Sequence, residues 1–220
     1  MKTTELIVML TYNDYTVKNA HKIFDECKNT KVKYWGFKDK GLSFEKMKLL
    51  FEYMKRCGKK TVLEIVEYEE KACLVGACLA KNCNCDILMG TTFFNSVNEY
   101  CKQNNIKYMP FAGNVCKRPS ILNGHIQEII KDAKANLNNG LYGFDLLGYR
   151  YTGNPTELIT NFISHIDAPV CVAGSIDNYE KLDFIKSISP WAFTIGSAFF
   201  DNKFEGTFKE QIDKVYGYIN

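Results

Sequence analysis

The chain has 220 residues, 46% apolar and 24% charged, which is material for a sizeable core in one large domain or two small ones. Its net charge of +3 balances 28 basic against 25 acidic residues spread along the chain. That gives no argument for a nucleic-acid partner, which would demand a concentrated basic face. The nine cysteines are odd in number and irregularly spaced, which counts against a secreted disulfide framework and points to a reducing cytoplasm.

In chain order, MKTTELIVML holds an apolar run of five residues, Leu6 to Leu10, too short for the core of a secretion signal. No stretch approaches the roughly twenty apolar residues of a membrane span. A soluble, cytoplasmic protein without a membrane partner is expected. The first candidate strand, LIVMLT (6–11), is followed by YNDYTV, which has no glycine. The second, KVKYWGF (31–37), runs into GFKDKG, where Lys38 and Asp39 put charges at the end of an apolar run. There a lysine could bind an anion, form a Schiff base or order a proton donor. A helix follows in LSFEKMKLLFEYMKRCG, with Ser43 as N-cap and Gly58 as stop. Its apolar stripe is Phe44, Met47, Leu50, Phe51 and Met54.

The third strand, TVLEIVEY (61–68), carries Glu64 and Glu67. Side-chain alternation sets them on opposite faces, with Glu64 beside Val62 and Val66. A carboxylate in such a run is costly unless paired or at work, and Lys38 of the neighbouring strand is its natural partner. Cys73, Cys78, Cys83 and Cys85 lack paired C-x-x-C spacing and read as small hydrophobes, not metal ligands. The fourth and fifth strands are CDILMG (85–90), followed by the weak candidates Thr91 and Thr92, and IKYMPF (106–111). The loop AGNVCKRPSILNG then offers Lys117 and Arg118, for which a solvated role is favoured over covering an anion.

A helix in HIQEIIKDAKANLNNG leads to the sixth strand, GFDLLGY (143–149). Asp145 sits early in it, as a structural partner, whereas Arg150 follows it and could reach a carboxylate or phosphate bidentately. Tyr149 and Tyr151 are candidates to line a pocket. After a helix begun by Pro155 come PVCVAG (169–174), ending in Gly174-Ser175, and WAFTIG (191–196), ending in Gly196-Ser197. Glycine lets backbone amides approach an oxyanion, serine adds a hydroxyl, and a helix just beyond would add its positive end. His21, His125 and His165 all fall on expected helices, which leaves no histidine base and no zinc triad.

Eight strand–helix units joined through helices are parallel, and predict an α/β fold, a single (β/α)8 TIM barrel over residues 1–220. A doubly wound sheet would carry its glycine loop after the first strand; here the glycine turns come last, where barrels place a phosphate site. The order of units ending in VAGSID and FTIGSAFF resembles the ribulose-phosphate-binding barrels, among them N-acylmannosamine-phosphate epimerases, hexulose-phosphate synthases, keto-gulonate-phosphate decarboxylases and tryptophan-pathway barrels. The sequence also looks like an uncharacterised branch sharing GFKD, LEIV, PFAG, LLGYRY and AGSI. Gly174-Ser175 stands where those families have Gly-Gly, and LEIVEY lacks the decarboxylases' Asp-x-Lys-x-x-Asp. Residues 61–90 are similar to part of the quinolinate-type phosphoribosyltransferase barrel, without the N-terminal domain that completes its site.

The resemblance implies an enzyme that isomerises, epimerises or cleaves a small phosphorylated sugar or sugar acid. Gly174, Ser175, Gly196 and Ser197 would grip the phosphate, while Glu64, Lys38 and Arg150 act on the reacting end. A phosphoribosyltransferase-like protein and a non-catalytic phosphometabolite sensor are the alternatives. No cofactor is evident, a divalent metal is left open without support, and barrels of this kind often form homodimers, though no stripe in the sequence identifies an interface.

Overall fold

The computed structural model describes residues 3–220. The eight expected strands are present: β1 (Glu5–Met9), β2 (Tyr34–Lys38), β3 (Lys60–Ile65), β4 (Ile87–Gly90), β5 (Lys107–Met109), β6 (Phe144–Leu146), β7 (Val170–Val172) and β8 (Ala192–Ile195). They pair in parallel in the order β6-β7-β8-β1-β2-β3-β4-β5. A parallel bridge between Phe111 and Asp145 joins the two ends into a barrel, with the Asp145 amide donating to the Pro110 carbonyl at 2.9 Å.

Helices α1 (Ala20–Cys27), α2 (Phe44–Arg56), α3 (Glu70–Asn82), α4 (Asn95–Gln103), α5 (Ile126–Leu137), α6 (Pro155–His165) and α7 (Tyr179–Ile188) follow the first seven strands. The single turn α8 (Ser197–Phe200) and α9 (Phe208–Ile219) complete the chain. Local chemistry sets several of their starts: the Ser43 hydroxyl accepts from the Lys46 amide, Pro155 stands in the first turn of α6, and Thr207 and Glu210 form a reciprocal capping box. On α2 the stripe Met47, Leu50, Phe51 and Met54 is buried, whereas Phe44, read as its first member, is 39% exposed. His125 is the N-cap of α5, outside the helix in which it was expected.

Alternation along the strands makes two cores. Outward residues such as Val8, Trp35, Phe37, Leu63 and Leu88 pack against the helices. Inward residues, including Ile7, Val62, Ile87, Met109 and Cys171, fill the barrel. Gly36 is inward too, where a Cβ would stand 2.6 Å from the Val62 carbonyl. Trp191 meets Tyr34 and Tyr142 edge-on at 5.5 and 6.3 Å, three rings at the strands' N-terminal ends. The mouth is at the other end.

Some strands are shorter than their apolar runs. β3 stops at Ile65, and Val66 turns outward while its carbonyl accepts from Arg118. β6 stops at Leu146 because Gly148–Arg150 form a 3-10 turn that lets the backbone press on Ile159, 2.4 Å from where a Cβ would stand. Two hairpins were not expected. Thr11–Tyr12 pairs with Tyr15–Thr16 across Asn13 and Asp14, both at positive φ (47° and 64°). Asn114–Cys116 pairs with Ile121–Asn123 inside the long loop after β5. Among the described residues no helix is long and apolar enough to cross a membrane.

Candidate functional site

The first hairpin is the key to the mouth. Its Thr16 hydroxyl donates to the Lys38 carbonyl at 2.6 Å and its Thr16 amide to the Lys40 carbonyl at 2.7 Å, so the hairpin is laced to the end of β2. That holds Asp14 over the barrel, where Lys38 Nζ donates to Asp14 Oδ1 at 2.6 Å. Lys38 and Glu64 are register partners on β2 and β3, and their Nζ and Oε1 lie 3.4 Å apart. Lys38 is buried. Burial pulls its ammonium toward the neutral form, but Glu64 and then Asp14 outweigh that and hold it above the ordinary lysine value. For Asp14, burial pushes the carboxyl up, yet Lys38 prevails and keeps it below the usual aspartate value. A lysine so held is a fixed cation; the free amine that a Schiff base needs is disfavoured.

Across the mouth lie the two glycine turns. Gly174 has φ +89° and Ser175 φ +55°, and a Cβ on Gly174 would stand 2.9 Å from Arg150 Cγ. A Cβ on Gly196 would stand 2.9 Å from the Thr11 carbonyl, so this turn is glycine because the first hairpin crosses it. Among the described residues no protein carbonyl accepts from the amides of Gly174, Ser175, Gly196 or Ser197. Both turns line one cavity of about 450 Å³ together with Arg150, Lys38, Glu64 and Asp14. None of the ion pairs among the described residues involves Arg150.

The expected help from helix ends is weak. α7 begins at Tyr179, beyond Asn178, whose side chain accepts from the Lys181 amide, and α8 is one turn long. Lys181 Nζ instead donates to the Ser175 carbonyl at 2.6 Å and pairs with Asp177 at 2.8 Å, bracing the strained turn.

All seven residues proposed as catalytic or phosphate-binding therefore face one cavity. The secondary candidates fare differently. Glu67 is half-buried and pairs with Arg118 at 3.0 Å and Lys40 at 3.6 Å, away from that cavity. Arg118, Asp39 and Lys40 line a smaller adjoining cavity of about 220 Å³. Thr91 bonds the Tyr108 hydroxyl at 2.6 Å in the core, and the Lys117 carbonyl accepts from Tyr68 at 2.7 Å. Tyr149 packs edge-on against Phe184, its hydroxyl pushed up to about 12 by burial, and Tyr151 donates to the Gly124 carbonyl. Among the described residues no group of three or more His, Cys, Asp or Glu converges as a metal-ligand set.

Two acids were missed in their roles. Asp14 is half of an Asn-Asp hairpin turn, a signal legible in the sequence although the turn contains no glycine. Asp145, taken for a structural partner, is 1% exposed and has none: among the described residues neither carboxyl oxygen finds a hydrogen bond.

No family model matches the sequence, and no curated protein matches it. Solved structures do. Orotidine 5'-monophosphate decarboxylase from Methanocaldococcus jannaschii aligns with a TM-score of 0.70 at 16% identity, covering 99% of each chain. The chain shares the barrel fold of that enzyme. N-acetylmannosamine-6-phosphate 2-epimerase from Clostridium perfringens aligns at 0.66 and 11% identity, over 100% of this chain and 94% of the other. A glycerol uptake operon antiterminator regulatory protein from Listeria monocytogenes aligns at 0.59 and 15%, over 88% and 91%. The structural neighbours are ribulose-phosphate-binding barrels, the superfamily the sequence resembles, and at these identities the shared property is the fold.

Proposed function

We infer that this barrel is an enzyme acting on a small phosphorylated sugar or sugar acid by isomerisation, epimerisation or carbon–carbon cleavage. The observation that carries the reading is the division of a single cavity: unengaged amides and Arg150 on one side, the Asp14–Lys38–Glu64 cluster on the other. Amides at Gly174, Ser175, Gly196 and Ser197 take the phosphate, Arg150 adds charge and bidentate donors, and that binding fixes the distal carbons over Lys38. Glu64 takes a proton beside the carbonyl, and the Lys38 ammonium stabilises the oxyanion that develops. The epimerase and decarboxylase named above act, by their names, on phosphorylated compounds, which supports this ligand class.

A phosphometabolite sensor would be served by a carboxylate-free mouth; Glu64 and Asp14 in the cavity favour catalysis. The experiment is a thermal-shift screen of phosphosugars, phosphoribosyl compounds and inorganic phosphate. A ligand at one hundred times its Kd should add about 2.7 kcal/mol of stability to the wild type. The Ser197→Asp variant, with a carboxylate at the phosphate position, should show none of that gain. Equal stabilisation of both proteins would end the assignment.

A further inference from the structure

The buried acid that the site so far leaves unused is Asp145. It lies on β6 between Phe144 and Leu146, both of which pack outward against the helices, so alternation turns its side chain into the barrel. Its register partner on β7 is Cys171, one of the residues that fill the interior. The carboxyl is sealed beneath the mouth with no hydrogen-bond partner among the described residues, a place where a charge would be uncompensated. The charged and titratable groups that bear on it are Lys38 from β2, Glu64 from β3, Arg150 beyond β6 and the Cys171 thiol.

We propose that Asp145 is the stored proton of this site, a carboxylic acid held neutral under the cavity floor that acts through Glu64. The two carboxyls live in opposite surroundings. Glu64 lies 3.4 Å from the Lys38 ammonium, whereas Asp145 has no hydrogen-bond partner among the described residues. Burial first, and the Glu64 charge second, push Asp145 well above the ordinary carboxylate range, while Lys38, Arg150 and the backbone at Gly90 offset only part of this. Two carboxyls in such unlike environments are the arrangement that divides acid from base within one site.

The transfer is a single proton. Glu64 passes the proton it took from carbon to the ligand oxygen that has become anionic, and is a carboxylate again. The O–H bond of Asp145 then breaks as an O–H bond forms on Glu64, leaving Asp145 a carboxylate under the positive field of Lys38 and Arg150. Glu64 then gives that proton to the ligand carbon, takes the enediol hydroxyl proton as the carbonyl re-forms, and returns it to Asp145. This last use rests on the carbonyl chemistry inferred above; the storage itself does not. Asp145 is thus a positioning residue for the proton, reaching the ligand through Glu64.

The test is infrared spectroscopy of the ligand-free protein with isotopically labelled aspartate. At neutral pH the wild type should show the carbonyl stretch of one protonated aspartic acid, and Asp145→Asn should lack it. In Glu64→Gln the band should titrate away at lower pH, because a charge opposing ionisation is gone; an acid out of reach of Glu64 would not move. A wild type without the band, a band that survives Asp145→Asn, or a midpoint unmoved by Glu64→Gln would each overturn the proposal. If Asp145→Asn does not fold, the wild type and Glu64→Gln decide the matter alone. Phosphate binding is read separately by the thermal-shift screen, so failure of either idea leaves the other measurable.

Discussion

Lys38 is the residue on which the mouth depends. Two carboxylates within 3.4 Å of its nitrogen and little exposure mean that Lys38→Met leaves Glu64 and Asp14 unmatched. Breaking a fully buried pair costs about 3–5 kcal/mol, but Asp14 is 42% exposed, so water returns part of that. A loss of about 1–2 kcal/mol in urea denaturation is expected, with loss of turnover on any substrate found. The pH dependence has a definite sign on each side. Because Asp14 is lower in the folded protein than in the unfolded chain, its contribution is present at neutral pH and disappears as pH falls through the folded value. Because Lys38 is higher when folded, its contribution is complete at neutral pH and disappears as pH rises through the folded value. Wild type measured against Asp14→Asn should therefore converge only in acid, and against Lys38→Met only in strong base. Ser175 yields a prediction of the other sign. Its φ of +55° costs an L-residue about 1 kcal/mol or more, so Ser175→Gly should raise the denaturation midpoint. Gly174→Ala should lower it by about 1–3 kcal/mol, since a Cβ there meets both a φ of +89° and Arg150 Cγ at 2.9 Å.

Among the elements, the hairpin Thr11–Thr16 does more for the site than its length suggests. It delivers Asp14 to Lys38 and lays the Thr11 carbonyl against Gly196, linking the reacting side of the cavity to the phosphate side. Its turn needs two residues at positive φ, which asparagine and aspartate tolerate and β-branched residues do not. Asn13→Val should therefore cost about 1–2 kcal/mol and also weaken the Asp14–Lys38 contact, visible as a rise in the Asp14 titration midpoint by NMR. Elements that make the barrel were easier to read than this one. Continuous apolar runs announced all eight strands, because parallel strands are covered on both faces. Ser43 and Pro155 marked helix starts through local hydrogen bonds and ring geometry. The hairpin was missed because its cue is a two-residue turn with no glycine, and the strand ends at Ile65 and Leu146 were overrun because tertiary contacts, not composition, stop those strands.

At the scale of the whole molecule, the barrel converts sequence distance into contact. Residues as far apart as Asp14, Lys38, Glu64, Arg150, Gly174 and Ser197 meet only because eight strand ends open on one face. The pairing of Glu64 with Lys38 was legible, since adjacent strands of a parallel sheet place their register partners side by side. The isolation of Asp145 was not, because whether a buried carboxyl has a partner depends on every side chain around it and on no local pattern. The central claim is that the turns after β7 and β8 hold one phosphate between them. Its most direct measurement is an NMR titration of the 15N-labelled protein with inorganic phosphate, following the amides of Gly174, Ser175, Gly196 and Ser197. The account predicts that all four resonances shift together along a single binding curve. Shifts confined to one turn, or no shift at either, would contradict it.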